Sequence, residues 1–254
     1  MSKALFLFIK TQKIIIIFNY IQKIIDSNFS QFLNKLLKLS DIKIIKNTFY
    51  CIQNIFYGTY GQISNLYDNN TVSLSLQVAK NVYEALRSKN QFISNKSKEE
   101  FVKTLREIDY SFSLLIINSL NERLIPVIKY DNHIVLLFLL EGFKYLEDNE
   151  KDNELISLIL RAISKLLDYF KKNDDENNDL TTNFLVEFLE KNGFKEILEK
   201  LQYNSDENIM ENSEIIFDEY FDNSIGDNSD KININDIIGE DENKINDENE
   251  ENYD

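Results

Sequence analysis

Apolar residues in this chain recur at spacings of three and four, the period of one face of an α-helix. Phe29, Phe32, Leu33, Leu36 and Leu37 make the first clear stripe, and Ile42, Ile45, Phe49, Ile52, Ile55 and Phe56 the second. Between them Ser40-Asp41 offers two residues able to cap a helix start. Short or long stripes follow at Ile63–Tyr67, Val72–Leu86, Phe101–Leu120, Leu124–Lys129, Ile134–Leu146, Leu155–Phe170, Phe184–Leu189, Phe194–Leu201 and Ile209–Phe221, joined by polar links such as Ser88–Glu100. None carries the sustained heptad seam of a long coiled coil.

The stripes repeat in threes: a short helix, a medium one and a longer one. The expected triplets are Ile21–Asp26, Phe29–Leu39 and Ile42–Phe56, then Gln62–Tyr67, Val72–Leu86 and Phe101–Leu120. Glu122–Tyr130, Ile134–Leu146 and Leu155–Phe170 make the third, and Thr182–Leu189, Phe194–Leu201 and Ile209–Phe221 the fourth. Tyr50, Tyr110 and Arg161 hold equivalent places on the third helices of the first three. Such triplets cannot bury their apolar faces alone, and stacking gives them a shared core. The expectation is an all-α solenoid of the armadillo type, a right-handed superhelix of three-helix repeats. Its repeats would span 20–57, 58–120, 121–174 and 180–222, with the third helices lining a concave groove.

Composition agrees with that reading. The 254 residues include only six Gly and one Pro, too few for the turns of a sandwich or barrel. Lys+Arg number 28 against 43 Asp+Glu, a net charge of −15. That balance disfavours nucleic acid, whose phosphates need cations, and suits a basic partner. Residues 223–254 hold eleven carboxylates against two lysines and read as a disordered acidic tail. Residues 1–19 carry the apolar run Ala4–Ile9 and all but the last residue of a second, Ile14–Tyr20, split by Lys10-Thr11-Gln12-Lys13. Neither run reaches the ~20 residues of a membrane span. They read as a buried helix or the ragged start of a truncated chain, such as the remnant of a preceding repeat.

Candidate chemistry is sparse. One cysteine, Cys51, and one histidine, His133, exclude a disulfide framework and a two-histidine metal site. No phosphate-binding glycine loop, nucleophile elbow or metal-loop spacing occurs. No enzyme activity, cofactor or metal is expected. Cys51 reads as a small buried hydrophobe, His133 as a packing or surface residue, and Gly142 as a site of close helix approach.

The run Ile42-Lys43-Ile44-Ile45-Lys46-Asn47-Thr48-Phe49-Tyr50-Cys51-Ile52-Gln53-Asn54, followed by Tyr57-Gly58-Thr59-Tyr60-Gly61-Gln62-Ile63, resembles an armadillo repeat of importin alpha. Phe188-Leu189-Glu190-Lys191-Asn192-Gly193-Phe194-Lys195-Glu196-Ile197-Leu198 and its continuation to Glu219-Tyr220-Phe221 resemble the last unit of that family, which is also followed by an acidic tail. The resemblance implies a nuclear import adaptor, found in cytoplasm and nucleus. Such an adaptor holds basic localisation signals stretched along the groove, with aromatic faces covering Lys and Arg stems and Asn side chains clamping the peptide backbone. Carried over residue by residue, Tyr50 takes the aromatic place, Asn54 the clamp and Asn47 the place of a family Glu. In the second repeat Tyr110 is the aromatic, but Leu114 stands where Asn belongs. In the third the pair is Arg161 and Lys165, read most simply as a solvated helix face. The resemblance also implies contact of Phe184–Phe221 with a recycling exportin. The basic segment through which the family binds importin beta is not seen, which argues against that partner. The rival reading is a helical-repeat scaffold that no longer recognises signals.

Overall fold

Helix starts are dictated locally. The Asp41 carboxylate accepts from the Lys43 and Ile44 amides at 2.9 and 3.2 Å, satisfying donors that a helix N-terminus leaves unpaired. Gln62 reaches back to the Thr59 amide at 2.9 Å, half of a capping box. Thr181 and Asp206 cap two later helices in the same way. Gly193 starts another with φ +86, a conformation that favours glycine.

The computed structural model describes residues 22–23, 26–87, 95–147, 152–173 and 181–222. Among these there are eleven α-helices and no strand. They are α1 (Phe29–Leu37), α2 (Ile42–Phe56), α3 (Tyr60–Asp68), α4 (Thr71–Arg87), α5 (Asn95–Asn118) and α6 (Asn121–Lys129). Then come α7 (Ile134–Glu147), α8 (Asn153–Lys172), α9 (Thr182–Lys191), α10 (Phe194–Leu201) and α11 (Glu207–Tyr220). The expected helix Ile21–Asp26 lies only partly within the described residues, and segments 1–19 and 223–254 lie outside them. One start differs by more than two residues: α5 begins at Asn95, inside the stretch Ser88–Glu100 expected to be a link. Lys96, Lys98, Glu99 and Glu100 are good helix formers, and periodicity of apolar residues cannot register them.

The helices stack as an α-solenoid. The long third helices pack in series, α2 on α5, α5 on α8 and α8 on α11. The second helices α1, α4 and α7 run alongside in the same order. A single apolar core threads the stack. Phe49, Phe112, Phe138 and Tyr83 form one chain of rings with centroids 6.3, 6.1 and 5.3 Å apart. Phe143, Phe194 and Phe221 continue it at 6.1 and 5.8 Å.

Polar side chains set how closely the third helices approach. Thr104, Ser111 and Asn118 on α5 point at the carbonyls of Ile42, Phe49 and Phe56 on α2, at 3.5, 3.2 and 2.9 Å. Both sets are seven residues apart, two helical turns. The Thr104 and Ser111 hydroxyls also face carbonyls of their own helix at 2.7 and 2.8 Å, so each proton is shared between two acceptors.

A buried acid sits behind this row. Asp109 is 1% exposed, and its Oδ1 has no hydrogen-bond partner. Gly142 of α7 lies against it. A Cβ there would come within 2.7 Å of Asp109 Oδ2 and 3.1 Å of Ile159 Cδ1, so any larger residue would force these side chains of α5 and α8 to shift. Burial, then the neighbouring Glu141 carboxylate, push the Asp109 carboxyl well above the ordinary range, which favours its neutral form.

The folded chain therefore holds this proton to higher pH than the unfolded chain does. Stability from this site is full below the unfolded pKa and declines as pH rises toward the folded one. Urea titrations across pH 4–8 are expected to show this decline in the native chain and a flatter profile in Asp109→Asn.

Candidate functional site

Of the four residues expected to bind peptide, Asn47, Tyr50 and Asn54 lie on one strip of α2 and Tyr110 lies on α5. Lys43, Asn47, Tyr50, Asn54 and Tyr57 follow spacings of four and three and are all exposed. The strip is turned away from the row of Ile42, Phe49 and Phe56 that faces α5. Tyr50 is 57% exposed and Tyr57 45%. These are large aromatic faces left in water on an otherwise well-packed helix. Tyr57 stands close enough to Glu154 and Arg161 of α8 for both charges to act on its hydroxyl. Burial and then Glu154 raise its pKa, and Arg161 opposes. This strip is the part of the expected groove, the inner face, that α2 supplies.

Asn47 is exposed on this strip. Asn54 is exposed too, and its Nδ2 donates to the Tyr50 carbonyl at 2.6 Å. The same bond to the carbonyl four residues back is made by Asn69, Asn173, Asn192 and Asn212. It is a habit of asparagine on helices. The Asn54 amide keeps a second N–H and its carbonyl oxygen for a ligand.

Further along the inner face the expectations need correction. Tyr110 is not an open stacking surface: it is 7% exposed. Its hydroxyl donates to the Asp152 carboxylate at 3.1 and 3.2 Å, and Arg106 lies over its ring at 6.0 Å while also pairing with Asp152. Burial, then the Asp152 charge, raise the phenol pKa strongly. Asp152 in turn caps α8 through the Leu155 amide at 3.2 Å. Tyr110 therefore ties α5 to the start of α8. Leu114, in the place of the second clamp, is buried in the core.

Lys165 is not a solvated lysine. Its ammonium donates to the carbonyls of Ile116, Ile117 and Ser119 at 2.8, 3.0 and 2.8 Å. It caps the C-terminal end of α5, where unpaired carbonyls and the helix dipole favour a cation. Burial lowers its pKa. Arg161 remains exposed and, with Ile117, Ser164, Lys165, Asp168 and Asn212, lines a shallow cavity of 270 Å³ between α5, α8 and α11. Asp168 accepts from the Tyr220 hydroxyl at 2.9 Å.

The remaining candidates are structural. His133 packs tilted against Phe184 and edge-on to Phe188, at 4.8 and 5.6 Å, and its Nδ1 meets the Ile128 carbonyl at 3.0 Å. Cys51 is half-buried, with its thiol pKa raised by burial. Among the described residues no group of three His, Cys, Asp or Glu side chains could hold a metal ion. No described helix is long and apolar enough to cross a membrane.

No protein-family model and no curated protein matches the sequence. Solved structures with a similar arrangement include a designed armadillo repeat protein, YIII(Dq.V1)4CPAF, in complex with the peptide (KR)4. It is 21% identical with a TM-score of 0.49, over 79% of this chain and 67% of that one. A second designed armadillo repeat protein, YIII(Dq)4CqI, is 21% identical with a TM-score of 0.44, over 79% and 86%. A computationally designed armadillo repeat protein for modular peptide recognition is 18% identical with a TM-score of 0.46, over 79% and 85%.

Lys165→Met keeps much of the stem and removes the cap from three carbonyls. It is expected to lower unfolding stability by about 1–3 kcal/mol in urea titration. Arg161→Met, one turn away on the same helix, is expected to change it by less than about 0.5 kcal/mol.

Proposed function

We propose that this chain is a helical-repeat interaction module that takes an extended segment of a partner protein on the α2 end of its inner face. The observation that carries this is the strip of Asn47, Tyr50, Asn54 and Tyr57, where two exposed rings alternate with amide side chains. Rings accept cationic heads and cover their stems, and amides pair with both groups of a stretched backbone. In the finer reading the partner is the basic localisation signal of a cargo protein. The chain then acts as a nuclear import adaptor, moving between cytoplasm and nucleus. Its net charge of −15 favours encounter with such a ligand. The role is one of binding rather than catalysis.

The C-terminal repeat supports a separate contact. On α11 Glu207, Glu211, Glu214 and Asp218 share an exposed strip with Ile215 beside them. This is where the recycling exportin is proposed to bind. The second reading, a scaffold without signal recognition, is favoured by Tyr110 and Lys165. Both are engaged within the fold, which leaves a long ladder of peptide contacts no room beyond α2.

A fluorescent Lys/Arg-rich peptide titrated against the whole chain is expected to bind saturably and more weakly as salt rises. Tyr50→Ala and Asn54→Ala are each expected to weaken it about fivefold, the equivalent of about 1 kcal/mol, while Tyr110→Phe leaves it unchanged. Binding that follows salt but ignores both α2 substitutions would reduce the interaction to unspecific charge attraction and favour the scaffold. A pull-down with the exportin, compared between the native chain and Ile215→Asp, tests the α11 contact independently.

A further inference from the structure

Three of the four arginines in this chain are engaged within the fold. Arg87 donates to the Tyr83 hydroxyl at 2.6 Å, Arg106 pairs with Asp152, and Arg123 pairs with Asp68 at 3.0 Å. Arg161 is exposed and makes no hydrogen bond or ion pair among the described residues. Its charge reaches the Tyr57 hydroxyl, a neutral group at ordinary pH. Glu154, two turns earlier on α8, acts on that hydroxyl too but forms no ion pair with Arg161. With 43 Asp+Glu against 28 Lys+Arg, a guanidinium left without a carboxylate is out of keeping with the rest of the chain.

Arg161 does not stand on open surface. It lines the cavity of 270 Å³ between α5, α8 and α11, whose apolar side is Ile117. Ser164 follows three residues later on the same face of α8, and its hydroxyl has no hydrogen-bond partner among the described residues. Asn212 faces them from α11. Its Nδ2 gives one N–H to the Asn208 carbonyl at 2.6 Å and keeps the other. Lys165 spends its three N–H groups on the carbonyls that end α5, but its charge stays in the lining. Asp168 is the one carboxylate of the lining. It stands two turns from Arg161, about 10 Å along the helix axis, and accepts from the Tyr220 hydroxyl at 2.9 Å. The Arg161 end of the cavity therefore carries donors and positive charge with no acceptor committed to them.

A guanidinium fork matches two oxygens of a carboxylate or phosphate. The Ser164 hydroxyl and the spare Asn212 N–H can serve the remaining lone pairs. The cavity is shallow and smaller than the roughly 300–1,000 Å³ that encloses most of a free ligand. It suits a single side chain whose parent chain stays outside. We propose that Arg161, Ser164 and Asn212 form a site for one oxyanion side chain of a partner protein, a carboxylate or a phosphorylated hydroxyl. The site stands apart from the α2 strip and does not rest on it. That strip suits cations, whereas Arg161 and Lys165 repel them.

The arginine Nε–H resonances of the ¹⁵N-labelled whole chain test this, with Arg161→Lys assigning the signal of interest. Four probes are titrated at constant ionic strength: inorganic phosphate, and blocked pentaglycines with glutamate, phosphoserine or glutamine at the centre. The glutamate or the phosphoserine peptide is expected to move the Arg161 signal saturably, at least about fivefold more tightly than the glutamine peptide. The stronger of the two identifies the source of the anion. The Arg87, Arg106 and Arg123 signals are expected to stay still. Ser164→Ala is expected to weaken binding about threefold. In Arg161→Met, with circular dichroism unchanged, the backbone amides of Ser164 and Asn212 are expected to stop responding. Equal movement of all four arginines, or equal binding of the glutamine peptide, would reduce the effect to general screening and overturn the proposal. Inorganic phosphate binding more tightly than every peptide would assign the cavity to a free anion and overturn it likewise.

Discussion

Everything in this fold depends on how closely the third helices can lie side by side. Along α2 and α5 the limit is set by small polar side chains that reach across to backbone carbonyls, once every two turns: Thr104 to Ile42, Ser111 to Phe49 and Asn118 to Phe56. A large apolar residue at any of these places would hold the helices apart, and the chain of rings through Phe49, Phe112 and Phe138 would lose its contacts. Gly142 of α7 leaves room for side chains of α5 and α8, and burial favours a neutral Asp109 beneath it. Apolar burial supplies the driving force. The polar row fixes register and distance.

The same demand shapes the inner face. Stacking α5 on α8 uses Tyr110 as a strut to Asp152 and Lys165 as a cap on the end of α5. Those two positions would otherwise be available to a ligand. Over α2 there is no such requirement, and its rings and amides stay in water. An exposed strip of rings and amides on α2, and a more engaged surface on α5 and α8, is the physical consequence.

Most of the fold is legible in the sequence because its causes are local. Low Gly and Pro, apolar spacing of three and four, and caps such as Asp41, Thr181 and Asp206 act within a few residues of where they stand. The start of α5 is missed because Lys96–Glu100 are helix formers without an apolar stripe. The strip of α2 is legible too, since Tyr50 and Asn54 fall opposite the stripe of Phe49, Ile52 and Phe56. Tyr110 and Lys165 are not. Their roles are decided by Asp152, 42 residues away, and by the end of α5, some 46–49 residues away, and no local pattern announces those partners. The buried state of Asp109 is likewise set by Gly142 and Glu141 on another helix.

The central proposal is that a partner segment is taken on the α2 strip alone. Hydrogen–deuterium exchange of the whole chain with and without a saturating Lys/Arg-rich peptide tests it most directly. The account predicts that added protection falls on Asn47–Tyr57, and that Tyr110–Ile117 of α5 and Arg161–Asp168 of α8 exchange as in the free chain. Protection spread evenly along α5 and α8, with none on α2, would contradict it.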